Sequence, residues 1–556
     1  MADADLTGSD RAGADRSVTR TSWLGVGAII VAILCALPLV AVAIAAFLSD
    51  GATLAHLWST VMPGYIVNTL ALVIFVALGT FCLGTGTAWL VTMTAFPGRR
   101  LFEMALVLPL AFPAYVLAYA YTHILDHPGI VQTLLRDLTG WGPRDYWFPE
   151  IRSLGGAALM LTLVLYPYVY LLARAAFAAQ SATTFYVART LGQSAWTTFR
   201  RVSLPMARPA IASGVLLATM ETIADFGTVS HFGVPTFATG IYTSWFSMAD
   251  RGAAAQLALG LLAFALLLAV FERSSRGKAA YDAGRRAERM ERSQLTGLQA
   301  WGAVGLCTLP ILLGVVFPVI ALWAMALGSE QDLTSRRYIG FITNSLTLAA
   351  IAALVTVGAA ILLGSFQRLR PGRTSDMAVY VGRLGYAVPG GVIAVGLFVP
   401  FAALDNSIAA WSRETLGLST GLLFTGSIWV LVMAYMVRFL AAALGAYESG
   451  IVGIGRNLDA VSRVLGKSSW GTVWRVHLPL MTPSLLTAAL IVFVDVMKEL
   501  PATLIMRPFN FDTLAVQAFR LAADERLDGA AVPSLVIVAI GLGPVILLCR
   551  RVGRGR

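Results

Sequence analysis

Apolar residues in this chain run on far past the two-residue alternation of a half-buried strand or the i, i+3, i+4 stripe of a surface helix. The stretch from Trp23 to Leu48 contains no charged side chain. A bilayer core about 30 Å thick takes roughly 20 residues of helix to cross. Runs of that length recur twelve times, predicting spans near 23–48, 65–93, 101–125, 154–179, 207–229, 253–272, 299–327, 341–366, 376–403, 418–444, 482–505 and 531–550. The first is too long for a signal-peptide core and lacks a clear cleavage site, so it reads as a retained helix. The expected fold is an all-α polytopic membrane protein.

Composition agrees with that reading. Of 556 residues, 57% are hydrophobic and only 13% charged, with a mean hydropathy of +0.75; soluble chains keep about a quarter of their residues charged. A net charge of +11 would by itself suggest nucleic acid, but the basic residues lie in short segments between apolar runs. The segment from Phe271 to Ser293 holds seven basic and four acidic residues, and Arg99-Arg100, Arg368–Arg373 and Arg550–Arg556 fall on the same side of the bilayer. Arg336-Arg337 is an exception. The positive-inside rule puts that side in the cytoplasm. Both termini are therefore expected inside, with lipid as a partner and nucleic acid excluded. The domains expected are a cytoplasmic tail over 1–22, a six-span unit over 23–272, a basic linker over 273–298, a second six-span unit over 299–550 and a tail over 551–556.

The two units repeat. Asn68-Thr69-Leu70 matches Asn344-Ser345-Leu346, each opening a long apolar run. Gly192 precedes Leu204-Pro205 as Gly466 precedes Leu478-Pro479, an offset of 274 (466 − 192). Sixteen residues past each proline stands an acid, Glu221 and Asp495, and four further on another, Asp225 and Glu499. An even number of spans per unit makes the repeats parallel, related by an axis along the membrane normal. Ionisable groups within spans are costly and mark pathways, gates or buried pairs. Two readings stay open for these acids: they line a path that attracts a cation, or they shape an outer gate.

The loops before those acids, Tyr186-Val187-Ala188-Arg189-Thr190-Leu191-Gly192 to Leu204-Pro205 and Asp459-Ala460-Val461-Ser462-Arg463-Val464-Leu465-Gly466 to Leu478-Pro479, each show a short helical stretch stopped by glycine and a proline opening the next helix. Here the chain resembles the permeases of bacterial ABC importers, whose signature reads E-A-A, three residues, G, then I-x-L-P. The resemblance implies a type I importer permease fold of two six-helix repeats and a coupling helix in each loop that docks on an ATPase subunit. It makes Tyr186, Ala188, Gly192, Leu204, Pro205, Asp459, Ala460, Gly466, Leu478 and Pro479 the coupling positions. The signature acid is missing: Tyr186 and Ala460 stand in its place, with Asp459 one position earlier. Leu108-Pro109-Leu110-Ala111-Phe112-Pro113-Ala114, Met220–Thr228, Lys498–Thr503 and Arg507–Ala515 look like the iron(III) permeases, and thiamine and phosphonate importers have related ones.

The resemblance implies a non-catalytic subunit for ferric iron with two separate ATPase subunits, which carry ATP and magnesium, and a periplasmic binding protein. No cofactor or metal is expected on this chain. Gly466-Lys467-Ser468 looks like the end of a Walker A loop, but Val461 stands where its first glycine belongs. The four cysteines are far apart, and the five histidines form no metal-binding spacing. The alternative from another class is a secondary transporter driven by an ion gradient; the paired loops argue against it. An enzyme would need a nucleophile–base or metal constellation that the sequence does not supply. The polar stretches Asp126–Arg152, His231–Arg251 and Met506–Asp528 are expected on the outer side as a docking surface.

Overall fold

The structure is a computed structural model that describes residues 23–49, 51–180, 195–275 and 292–554. Tyr186, Ala188 and Gly192, the two tails up to Ser22 and beyond Arg554, and most of the linker lie outside the described residues. Apart from one two-stranded contact, regular structure among the described residues is helical. Among the described residues eleven helices are long and apolar enough to cross a membrane, twelve if a pair bent by 93° is counted as one span. In the first half the elements are α1 (Trp23–Leu48), α2 (Met62–Met93), α3 (Arg99–Ala105), α4 (Ala114–Leu125), α5 (Ile130–Thr139), α6 (Leu154–Ala178), α7 (Leu204–Ala224), α8 (Gly227–His231), α9 (Phe237–Tyr242) and α10 (Arg251–Ser275). The second half contains α11 (Gly297–Leu327), α12 (Arg336–Leu369), α13 (Arg373–Leu384), α14 (Gly390–Leu416), α15 (Trp429–Val452), α16 (Arg456–Val464), α17 (Leu478–Met497), α18 (Pro501–Met506), α19 (Leu514–Ala523) and α20 (Leu527–Arg554).

Five expected spans are corrected, among them 207–229, which stops at Ala224 and resumes as the separate helix α8. The run 101–125 is broken between α3 and α4, and 376–403 between α13 and α14. Both breaks come from proline: the residue before it avoids the helical region, and Phe112 before Pro113 and Val388 before Pro389 are both extended. The run 418–444 begins only at Trp429, because α14 continues to Leu416 and Gly417 ends it in a left-handed conformation. The buried Asp405 then ties down the loop, accepting from the amides of Leu423, Phe424 and Thr425 at 2.8–3.0 Å and from the Thr425 hydroxyl at 2.7 Å. The run 482–505 stops at Met497 and resumes as the separate helix α18.

The halves exchange their first helices. α1 packs on α12, α13 and α14 of the second half as well as on α10 of its own. A Cβ on Gly396 would sit 2.3 Å from the Pro38 carbonyl oxygen, so α1 and α14 meet backbone to backbone. Between helices already in lipid, such small-residue contacts supply the packing that hydrophobicity cannot. Reciprocally, residues Phe317–Leu327 of α11 pack on α4 of the first half. Strand β1 (Thr94–Ala95) at the end of α2 pairs in parallel with β2 (Ser293–Gln294), fastening the end of the linker to the first half. Apolar side chains such as Ile33, Ile74, Phe75, Trp323 and Leu354 remain on the surface, as a lipid-facing belt requires.

Candidate translocation cavity and coupling loop

The four repeated acids come together. A cavity of about 90 Å³ between the halves is lined by Glu221 and Asp225 of the first half and by Asp495, Glu499, Arg438 and Lys498 of the second. Position in the repeat does not make the acids alike. Asp225 follows the last turn of α7 and caps α8: one oxygen accepts from the amides of Thr228 (3.0 Å) and Val229 (3.2 Å), the other from the Thr228 hydroxyl (3.0 Å). Glu499 does the same for α18, accepting from the amides of Ala502 (2.9 Å) and Thr503 (3.1 Å) and the Thr503 hydroxyl (2.8 Å). A carboxylate at a helix N-terminus satisfies orphan amides and meets the positive end of the helix dipole. These two acids therefore hold the two short helices at the cavity wall.

Glu221 and Asp495 instead face basic side chains. The Arg438 guanidinium lies 3.4 Å from Glu221 and 3.7 Å from Glu499, linking the two halves. Lys498 Nζ is 3.0 Å from Asp495 and donates at 3.4 Å to the Leu110 carbonyl of the first half. The Tyr242 hydroxyl also crosses, donating to the Pro501 carbonyl. Arg438 has no repeat partner, since Val164 stands 274 residues earlier, so a search by internal symmetry misses it; its signal is a lone charge inside the apolar run of α15. Four carboxylates against two cations leave the wall with an acidic excess. Among the described residues, no group of three His, Cys, Asp or Glu side chains is placed to hold a metal ion.

At one end of the helices, α16 and the turn after it form the second loop. Gly466 has φ +72° and closes α16 with both bonds of a Schellman cap: its amide donates to Arg463 O (2.9 Å), and that of Lys467 to Ser462 O (3.1 Å). Ser468 then caps the next turn through the Gly471 amide (3.1 Å). The Walker-like triplet is thus helix punctuation. Leu478-Pro479 opens α17 with proline in its first turn, as Leu204-Pro205 opens α7.

The helix α16 buries two polar side chains and none of its apolar ones, with Arg456, Asn457 and Arg463 also exposed. Asp459 (4% exposed) and Ser462 are buried, while Leu458, Ala460, Val461 and Val464 (87%) face out. Asp459, one of the coupling-loop positions, is paired inside the chain: Arg368 Nε at 2.7 Å and His477 Nε2 at 2.8 Å. Burial alone would raise its carboxyl, but the His477 and Arg368 hydrogen bonds hold it below the usual aspartate range. In the first half, Trp196 stands exposed as its repeat partner Trp470 does.

At the other end of the helices, the polar stretches 126–152 and 506–528 meet. Arg152 joins Asp126 (2.9 Å) to Glu525 across the halves with a two-toothed contact at 2.7 and 2.8 Å. Those hydrogen bonds hold the Glu525 carboxyl below its usual range. The cluster borders an opening of about 500 Å³ that also includes His123, Glu330 and Asp528.

The family described as binding-protein-dependent transport system inner membrane component matches twice, over residues 80–275 and 356–552. Among curated proteins, the chain is similar to the Fe(3+)-transport system permease protein FbpB 2 of Haemophilus influenzae, 26% identical over 499 residues, covering 88% of this chain and 90% of that one. The ferric transport system permease protein FbpB of Actinobacillus pleuropneumoniae is 24% identical over 548 residues, covering 92% and 74%. The molybdenum transport system permease protein ModB of Escherichia coli is 27% identical over 216 residues, 38% of this chain but 89% of that protein, so one relative is the size of a single half. With one match in each repeat, the chain belongs to the binding-protein-dependent transport system inner membrane components, as a permease with both of its repeats fused in one polypeptide.

Proposed function

We propose that this chain is the permease subunit of an ATP-driven importer that takes up ferric iron from a periplasmic binding protein. The observation that carries the reading is the double family match over a chain whose α16 presents Leu458, Val461 and Val464 outward, an apolar face suited to the groove of an ATPase subunit. Two ATPases sit beneath the two loops, and ATP and magnesium are theirs. Both termini are cytoplasmic, and the Arg152–Glu525 end faces the binding protein. The cavity acids form the path: Glu221 and Asp495 meet the passing ion, and Asp225 and Glu499 hold its walls in shape. Catalysis of hydrolysis lies with the partner subunits.

Iron is supported by the relatives' names and by the acidic excess of the cavity wall. An oxyanion reading has one observation in its favour, the presence of Arg438 and Lys498 among those acids. One experiment separates them. The purified complex is assayed for ATP hydrolysis with binding protein loaded with ferric iron, with molybdate, or empty. Stimulation by the ferric form alone is the expected result; stimulation by the molybdate form alone removes iron, and no stimulation by either removes the importer reading.

A further inference from the structure

Within the importer reading, one buried cluster has no counterpart in the sequence of the other half. Asp459 sits on α16, its two carboxylate oxygens divided between elements: Oδ2 takes Arg368 Nε from the end of α12, and Oδ1 takes His477 Nε2 at the start of α17. Arg368 also donates to the Ile454 carbonyl at the head of the loop (2.7 Å). A fourth bond, 2.8 Å between the hydroxyls of Ser462 and Thr472, fastens the far end of α16 to the same turn. All four groups at the centre, Asp459, Ser462, Thr472 and His477, are nearly inaccessible to solvent. A nine-residue helix whose apolar side chains face outward has no hydrophobic reason to stay on the body of the protein. These polar bonds supply the reason.

The cluster has a direction as well as a strength. α17 begins at Leu478, one residue past His477, and carries Asp495 six residues before Pro501 opens α18. A shift of α16 would therefore act on the start of the helix that lines the cavity. In the first half, Phe185 and Ser203 stand 274 residues before Asp459 and His477, so that loop lacks both the acid and the imidazole.

We infer that Asp459, held between Arg368 and His477, is a positioning residue that makes the second loop a rigid lever between the ATPase and the cavity. The inference rests on the importer reading, and its test keeps the two apart. The full chain with its ATPase is reconstituted in proteoliposomes with ferric-loaded binding protein, and iron transported per ATP hydrolysed is measured. For Asp459→Asn the ratio is expected to fall about fivefold or more, the lower end of coupling free energies between sites. Arg368→Lys, which keeps the charge but not the second bond to Ile454, is expected to fall between Asp459→Asn and wild type.

A misfolded fraction lowers transport and hydrolysis together and leaves the ratio alone; an unchanged ratio in Asp459→Asn overturns the inference. A second measurement needs no turnover. Spin labels at the exposed positions Val464 and Leu480, in the same complex, are expected to give a narrow distance distribution that Asp459→Asn broadens; equal widths overturn the lever. If the wild type assembles with no ATPase at all, the underlying importer reading fails instead.

Discussion

Asp225 and Glu499 each serve a helix end, whereas Glu221 and Asp495, one turn earlier, face arginine and lysine. Substitution should separate the pairs. Asp225→Asn or Glu499→Gln removes a carboxylate cap and leaves helix amides poorly met, costing about 1–2 kcal/mol of stability, seen as a lower melting temperature in detergent. Glu221→Gln is expected to leave the melting temperature near wild type and to slow transport; a large melting shift would put it with the caps. Asp459 adds a pH prediction. Its carboxyl titrates below the ordinary aspartate range, so it stabilises the fold above the unfolded value, about 3.9, and that stability is lost as pH falls through the lower folded value. The melting difference between wild type and Asp459→Asn, on the order of 3 kcal/mol for breaking a buried pair, should be full at pH 7. It should close only below about pH 4.

Among the elements, prolines and glycines decide where helices stop and where they touch. Pro113 and Pro389 stood in plain sight in the sequence, yet the runs around them read as continuous because average hydropathy passes over a proline that interrupts hydrogen bonding without adding polarity. Gly466 was legible as a stop signal, and its left-handed φ gives the physical reason. Gly466→Val is expected to cost about 1–2 kcal/mol locally and to loosen ATPase association in a pull-down, while Gly466→Asn, tolerated in that conformation, is expected to keep most of it. Polar burial under α16 was not legible: the missing signature acid drew attention to what Asp459 offers a partner. Only the fold shows that Arg368 and His477, 91 and 18 residues away, already hold it.

Over the whole molecule, the repeat offset of 274 foretold two related halves, because a duplicated unit keeps its spacing through helix and loop alike. It did not foretell Arg438, which has no duplicate, or the exchange of α1, because an apolar run shows that a helix is buried in lipid or protein without saying whose surface it meets. Cutting the chain within residues 276–291 and co-expressing the parts should yield halves that co-purify, since the first helix of each packs on the other. Recovery of only separate halves would contradict that interlock.

The most direct test of the account is uptake of radiolabelled iron into proteoliposomes holding this chain, its ATPase and its binding protein, with ATP inside or with an imposed proton or sodium gradient and no ATP. Uptake that requires ATP and loaded binding protein, and is indifferent to the gradient, is the result predicted. Uptake driven by the gradient in the absence of ATP would contradict it.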